Sequence, residues 1–369
     1  MVYVSLAGRV CANVEALNMT ETIGNVSRHR RAPYILKIDG GYKLVYVPVI
    51  SGESIAHAYQ ANLVEATKLI YSKENLVPPI DPWAERNEMI KFVDKEHLIK
   101  ELQEIIDKGK SKGKKEKNEE KEIEKLQHEF EKIAIQKSII ADIGGFLYAE
   151  KPFPVRRTSL LQVGYITPVE DAITEAVIEA QMHTRQVSVG LRTKEEGKKE
   201  EEKREEEVKE EEREAQMLYY VEIASAVYGI TMQLDLSNIG VTSMVTKEEV
   251  LDKQEKNRRI KAALLALAMT MGLQLYGAKR SRFNPILDVE NLVGVVSKPL
   301  PLVPLPPQRK DYIDLTVQKV KKVTNLLEKF GINGKAIVIS FGKTAEDVII
   351  ANTPEEFFEK LIDEVFKLL

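Results

Sequence analysis

Four short clusters of cationic side chains are the residues best suited to chemistry in this chain. Arg28-His29-Arg30-Arg31 falls in an expected loop, with Arg9 ahead of it on a strand. Arg156-Arg157 precedes Thr158-Ser159 and Tyr165, and His183 and Arg185 share one face of an expected strand. Lys279-Arg280-Ser281-Arg282 follows Gly277, behind a helix. Cations beside hydroxyls and planar groups are the types that contact phosphates and sugars. Ser51-Gly52-Glu53-Ser54 opens a further helix that carries His57 and Gln60. The free N–H groups of such a helix start can hold a phosphate, although Glu53 in the same turn opposes one. Each feature also has a plainer reading. An arginine cluster is often a solvated face or an interface, and Ser51 can simply cap its helix. His57 sits one turn after Glu53 and can pair with it, and His183 can pack across strands.

Other chemistry is thinly represented. The five histidines, His29, His57, His97, His128 and His183, form no HExxH pattern and no i,i+4 pair, so no metal site is expected. The single cysteine, Cys11, excludes an internal disulfide framework and Cys-based zinc or iron–sulfur sites. It reads as a small core residue on a strand. There is no Walker A sequence, no GxGxxG after a strand and no GxSxG elbow, so neither a cofactor nor a familiar catalytic motif is expected. Tyr219, Tyr220 and Tyr228 are assigned to a sheet rather than to base stacking.

The elements that must position these clusters are legible from periodicity. Val2, Val4, Leu6 and Val10 alternate with less apolar residues as in a strand. A second strand runs over Tyr42 to Val47 between Gly40-Gly41 and Pro48. Ile55, Tyr59, Leu63, Ala66 and Ile70 make one face of a helix from Gly52 to about Tyr71, with Ser51 as N-cap. Helical patterning returns from Glu96 to Ile140, broken by a Lys/Glu/Gly stretch at 108–122 that reads as a loop. Short strands and turns follow at 141–165. Strands at Gln181 to Arg192 and Met217 to Leu236 flank a charged run, as the two arms of a long antiparallel ribbon with a flexible tip. A helix at Lys247 to Leu275 leads to a Pro-rich connector at 298–309. A helix at 312–330, a strand at Ala336 to Ser340 and a helix from Pro354 close the chain. This order suits an α+β fold with a split βαβ, ferredoxin-like core.

Net charge alone argues against a nucleic-acid binder, with 54 Lys+Arg against 57 Asp+Glu in 369 residues. Residues 194–214 decide how to read that balance: they hold 7 basic and 12 acidic side chains, and the remainder of the chain is +2. No stretch of about 18 apolar residues appears, and the N-terminus lacks a signal-peptide pattern. A cytoplasmic protein without membrane association is expected, with the Lys/Glu-rich, Cys-poor bias of thermophiles.

The blocks SLAGRVCANVEALNMTETIGNVSRHRRAP (5–33), VPVISGESIAHAYQ (47–60), RRTSLLQVGY (156–165) and GAKRSRFNP (277–285) resemble the archaeal DevR-like family, the backbone subunits of type I-A CRISPR Cascade. The resemblance implies a modified RRM-like palm built from 1–51 and 151–369, with an inserted, mostly helical domain at 52–150. It implies a protruding β-hairpin at about 181–236, tipped by 194–214. It also implies a non-catalytic subunit that polymerises head-to-tail along a CRISPR RNA and holds its backbone for target DNA pairing, beside other Cascade subunits. On the matched blocks Arg28 to Arg31, Ser51, Gly52, Ser54, His57, Gln60, Arg156, Arg157 and Lys279 to Arg282 become candidates for guide contact, with Arg9, His183 and Arg185 added. Related type III subunits cut RNA with a loop Asp, and no motif assigns that role to Asp39. The competing readings are a nuclease of the same superfamily and a self-assembling scaffold without nucleic acid.

Overall fold

A computed structural model describes residues 2–112, 119–186 and 216–369. The chain opens with β1 (Tyr3–Glu15), then two hairpins, β2 (Met19–Ile23) with β3 (Val26–His29) and β4 (Arg31–Ile38) with β5 (Gly41–Pro48). Helices α1 (Gly52–Ser72), α2 (Lys100–Lys112), α3 (Glu119–Lys137) and α4 (Ile139–Gly144) follow. Short strands β6 (Phe146–Tyr148), β7 (Val155–Arg157), β8 (Leu161–Val163) and β9 (Thr167–Pro168) lead into β10 (Val177–Gln186) and β11 (Gln216–Asp235). The chain ends with α5 (Lys253–Met271), β12 (Ile286–Lys298), α6 (Tyr312–Lys329), β13 (Lys335–Phe341), β14 (Ile349–Ala351) and α7 (Pro354–Leu368). The fold is α+β.

One ten-stranded sheet organises these elements, in the order β14-β13-β12-β1-β11-β3-β2, with β8, β9 and β10 also paired to β11. β1 lies antiparallel between β11 and β12, with Leu6 opposite Met232 on one side and Gly294 on the other. The period-2 pattern sets which side chains face which core. Val4, Leu6 and Val10 of β1 and Tyr228, Ile230, Met232 and Leu234 of β11 point into the main core, where α1, α5 and α7 cover them. Ala7 of β1 and Val293 and Val295 of β12 point the other way, under Tyr312, Ile313 and Val317 of α6. Gly294 lets α7 close on the sheet: a Cβ there would stand 2.5 Å from Leu361 and 2.8 Å from Phe357.

A second apolar cluster, including Phe92, Leu102, Ile106, Phe130 and Tyr148, builds a smaller lobe from α2, α3, β6 and β7. Ile55, Tyr59 and Leu63 of α1 belong instead to the main core. The two clusters are joined by a buried ion network. Asp142 accepts from Arg157 at 2.6 Å, from Arg259 at 2.9 Å and from the Gly240 N–H at 3.1 Å. Glu131 accepts from Arg157 and from the Ser243 and Met244 N–H groups. Arg259 spends its remaining donors on Glu255 and on the Ile135 and Gln136 carbonyls. Every charge in the network has an opposite charge or a carbonyl, the condition for burying it.

Several expectations need correction. Helix continues to Lys112 and resumes at Glu119, inside the stretch read as a loop at 108–122, because Lys and Glu are good helix formers once the flanks are packed. The helix expected over 247–275 spans only Lys253–Met271, because Asp252 caps it by accepting from the Glu255 N–H. The central strand β12 was not expected at all. Its LVGVV segment is buried on both faces and so lacks the alternation that marks a half-exposed strand. The ribbon arms stand as β10 and β11, paired from Val177↔Ser225 to Gln186↔Gln216. The expected tip at 194–214, and the expected strand residues 187–192, lie outside the described residues.

Candidate nucleic-acid interface

The hairpins after β1 carry the first basic cluster to a groove. Buried Glu15 at the end of β1 gathers three donors: the Tyr228 hydroxyl at 2.7 Å, the Leu17 N–H at 2.7 Å and the His29 ring Nε2 at 2.7 Å. His29 Nδ1 meets the Arg30 carbonyl at 2.9 Å. With His29 locked inward at the end of β3, alternation turns Arg28 outward, and the chain breaks at Arg30 before β4 begins. Arg28 and Arg31 are exposed and Arg30 is half-buried. The Arg30 N–H donates to the Asn18 carbonyl, and Asn18 Oδ1 accepts from the Ser51 N–H at 2.9 Å. Asn18 thereby ties the arginine cluster to the start of α1.

That start is built as the sequence suggests. Ser51 Oγ accepts from the Ser54 N–H at 3.3 Å, and Gly52 sits so close to the β8 end that a Cβ would lie 2.4 Å from the Val163 carbonyl. The opposite wall is the segment after α5. It is fixed by Asn62, which donates to Thr270 and to the Leu275 carbonyl, both at 2.9 Å. Arg280 is held there by the Gln274 carbonyl at 2.9 Å and Asn284 at 3.2 Å.

The result is an open groove of ≈ 800 Å³. Five sequence candidates line it together: Arg30, Ser51, Ser54, His57 and Arg280. Arg30 Nε is buried and, among the described residues, has no hydrogen-bond partner. An unsatisfied buried guanidinium N–H carries a desolvation cost of about 1–3 kcal/mol or more, which an anion in the groove relieves. Glu53 shares the lining and opposes that charge, as its place in the sequence suggests.

A second grouping lies beyond the groove, on the ribbon. His183 of β10 stacks on Tyr219 of β11 with ring centroids 5.4 Å apart, and Phe283 meets it edge-on at 5.2 Å. Arg282 donates to the Tyr219 hydroxyl at 3.4 Å. Lys279 and Ser281 are exposed in the same turn, and burial followed by the nearby Arg282 charge lowers the Lys279 pKa. Tyr219, assigned to the sheet alone, thus joins an aromatic cluster. The signal for it was the shared strand register, His183↔Tyr219, which no local pattern reveals. Asn18 and Phe283 join the site as well, one in the groove wall and one in the aromatic cluster.

The other candidates do different work. Arg157 is buried in the ion network, with its side chain 1% exposed, so its donors are consumed inside the protein. Arg9 is also internal, bound to Asp171 at 2.9 Å and to the Pro307 carbonyl. His29 is buried on Glu15. These three leave the expected RNA-contacting set because all their polar atoms that matter point into the fold. Gln60 is buried against Gly144, with Nε2 donating to the Ala56 carbonyl and Oε1 unpartnered. Arg156 is exposed on β7, on the smaller lobe, and does not line the groove. Arg31 is drawn to Glu222 at 3.2 Å. The side chain of Arg185 lies outside the described residues. Among the described residues no group of three or more His, Cys, Asp or Glu is placed to hold a metal ion, and no helix is long and apolar enough to cross a membrane.

Fold and groove together define an α+β protein with an open groove, lined by Arg30 and Arg280, where a sheet rim meets a helix N-terminus. Residues 6–317 match the family described as CRISPR-associated negative auto-regulator DevR/Csa2, and the chain belongs to that family. It is 35% identical, over 96% of its length and 98% of the relative's, to the CRISPR-associated aCascade subunit Cas7/Csa2 2 of Saccharolobus solfataricus. It is 27% identical, over 98% of its length and 100% of the relative's, to the CRISPR-associated protein Cas7/Cst2/DevR of Methanocaldococcus jannaschii. A chain of a pre-nicking CRISPR RNA-guided surveillance complex overlays 99% of this chain and 100% of its own, at TM-score 0.47 and 10% identity.

Proposed function

We propose that this chain is a backbone subunit of a CRISPR interference complex, which lines up in copies along a CRISPR RNA and holds its sugar-phosphate backbone. The observation that carries this reading is the groove, where the unpartnered Arg30 guanidinium, Arg280, the hydroxyls of Ser51 and Ser54 and the α1 N-terminus converge. Membership in a family that includes an aCascade subunit supports it. Arg and Lys neutralise phosphates, while N–H groups and hydroxyls set the register. Contacts confined to phosphate and sugar accept any guide sequence, and target DNA is then read by base pairing.

The finer parts of the reading follow from it. The main sheet with its α1, α5 and α7 cover acts as an RRM-like palm, the α2–α3 lobe as the inserted helical domain, and the β10–β11 ribbon as the arm laid over a neighbouring copy. The chain acts without catalysis, in the cytoplasm, next to other Cascade subunits. The test is the absorbance ratio of the purified chain and the length of any RNA extracted from it. Uniform RNA of guide size supports the reading. Protein free of nucleic acid, with no shift of added RNA at low salt, would favour a scaffold. Cleavage of labelled RNA that depends on a divalent metal would favour a nuclease.

A further inference from the structure

The β4–β5 hairpin stands apart from the main sheet as a two-stranded sheet of its own. Its two faces differ from an ordinary hairpin's. The inner face, with Ala32, Tyr34, Leu36 and Val45, packs on Val47, Val49 and Ile173. The outer face should therefore be polar, and it is not. Tyr42 is 74% exposed, Tyr46 71%, Ile35 66% and Leu44 58%. The register sets Leu44 opposite Ile35, Tyr46 opposite Pro33 and Tyr42 opposite Lys37, so these groups form one continuous outward surface. A contiguous apolar face of this kind on a protruding element marks a binding surface.

Three observations identify what it binds. Both ends of the hairpin are rooted in the groove wall: the chain leaves the groove at Arg30, runs out and back, and returns at Ser51. The Val49 N–H closes the root on the Arg30 carbonyl at 3.0 Å. The hairpin carries Arg31, Lys37 and Lys43 against one acid, Asp39; with Arg31 drawn to Glu222, Lys37 and Lys43 still outnumber that acid, so its field favours a polyanion over an acid-balanced protein face. Tyr42 and Tyr46 stand on the same face about 13 Å apart, four residues along one strand. That spacing exceeds the step between neighbouring nucleotides, so the two rings suit non-adjacent bases of one unpaired strand, with Leu44 between them; sheet aromatics stack unpaired bases in this way.

We propose that the outer face of the β4–β5 hairpin is a stacking platform for unpaired nucleobases, with Tyr42 and Tyr46 as the stacking side chains. The proposal rests on the nucleic-acid reading of the groove and adds a base contact to its backbone contacts. Every base has a π-face, so stacking tolerates any sequence and suits a strand whose sequence varies.

The test uses the full chain, freed of bound nucleic acid, with fluorescein-labelled U30 RNA and T30 DNA titrated by anisotropy across a salt series. Tyr42→Ala with Tyr46→Ala is expected to weaken binding, each alanine by a factor of about 5–150, the equivalent of about 1–3 kcal/mol per stacked base. The salt slope stays that of the parent chain, because no phosphate contact is lost. Tyr42→Phe with Tyr46→Phe keeps the parent affinity, and 5-iodouridine placed in the RNA crosslinks to Tyr42 or Tyr46. Comparison of the two oligonucleotides tells whether an RNA or a DNA strand uses the platform. Parent affinity in the alanine pair overturns the proposal, as does a phenylalanine pair as weak as the alanine pair. Loss of self-association in sedimentation at unchanged affinity also overturns it, since the face is then a protein interface. If Arg30→Ala weakens binding while the tyrosine variants do not, the groove stands without the platform. If the parent chain binds neither oligonucleotide, the groove reading itself fails.

Discussion

Arg30→Ala isolates the central claim about the groove. Among the described residues the side chain has no ion pair and its Nε no hydrogen-bond partner, so its removal breaks no internal ion pair and no hydrogen bond of that N–H. Its loss should not lower the urea midpoint, and relief of the buried unpaired N–H should raise stability by up to about 1–3 kcal/mol. Six candidate cations remain available around the groove and its rims: Arg28, Arg30, Arg31, Lys279, Arg280 and Arg282. If each neutralises one phosphate, log affinity for single-stranded RNA falls with log salt at a slope of about −4. Between 50 and 200 mM salt that is a loss of roughly 300-fold. Arg30→Ala should make the slope shallower by about 0.7. It should also weaken binding at fixed salt by about 10- to 100-fold, the worth of a hydrogen bond to a charged group freed from competition. Arg309→Ala serves as the control, since Arg309 is exposed and paired with Asp311 at 3.0 Å, away from the groove lining. The assay is anisotropy of labelled RNA at five or more salt concentrations. A slope equal in parent, Arg30→Ala and Arg309→Ala would refute the assignment of Arg30 to phosphate, and a slope near zero in the parent would refute the electrostatic mechanism as a whole.

Three further perturbations separate structure from binding. Asp142→Ala takes from the buried Arg157 and Arg259 the carboxylate they share, leaving them Glu131 and Glu255, and should cost about 3–5 kcal/mol of stability. Removing the exposed Glu248, paired to Lys132 and His128, should leave the urea midpoint near that of the parent, so equal midpoints for the two variants would sink the network account. His29→Ala leaves the Glu15 carboxylate without its imidazole partner; it should lower both stability and RNA affinity, whereas Arg28→Ala should lower affinity alone. Burial, then Glu170, raises the Tyr34 phenol to about 12, and burial, then Glu150, raises Tyr148 to about 12. The folded chain therefore keeps protons that unfolded tyrosine releases near pH 10, so stability present below about pH 10 declines as pH rises through 10 to 12. Urea midpoints across that window check it, and a midpoint that rises with pH contradicts the sign.

Much of the architecture was legible because one-sided burial imprints a period on the sequence. β11 reads as a strand since Tyr228, Ile230, Met232 and Leu234 alternate into one core, and α1 reads as a helix since Ile55, Tyr59 and Leu63 recur with the helical repeat. β12 was invisible for the converse reason, because burial on both faces removes the period. The Lys/Glu stretch near 112–119 misled in a different way. Composition shows that it cannot pack a core, but not that its flanks already hold a helix.

The site obeys a different logic, since an arginine's sequence neighbours do not say whether its guanidinium faces water or a carboxylate. Arg30 and Arg157 both occur in short arginine runs, RHRR and RR. The Glu15–His29 pair draws one residue of the first run inward; Arg28, its neighbour on β3, faces out, and the break between β3 and β4 leaves Arg30 at the groove wall and Arg31 exposed on β4. In the second run Arg156 and Arg157 alternate on β7, and the inward position belongs to Arg157, where Glu131 and Asp142 wait 26 and 15 residues upstream. In both clusters a buried acid on the inner side decides which cation is lost to solution. That acid lies far off in sequence for Arg157 and across a strand for His29. A basic cluster becomes a binding candidate only after the buried carboxylates have taken their share of it.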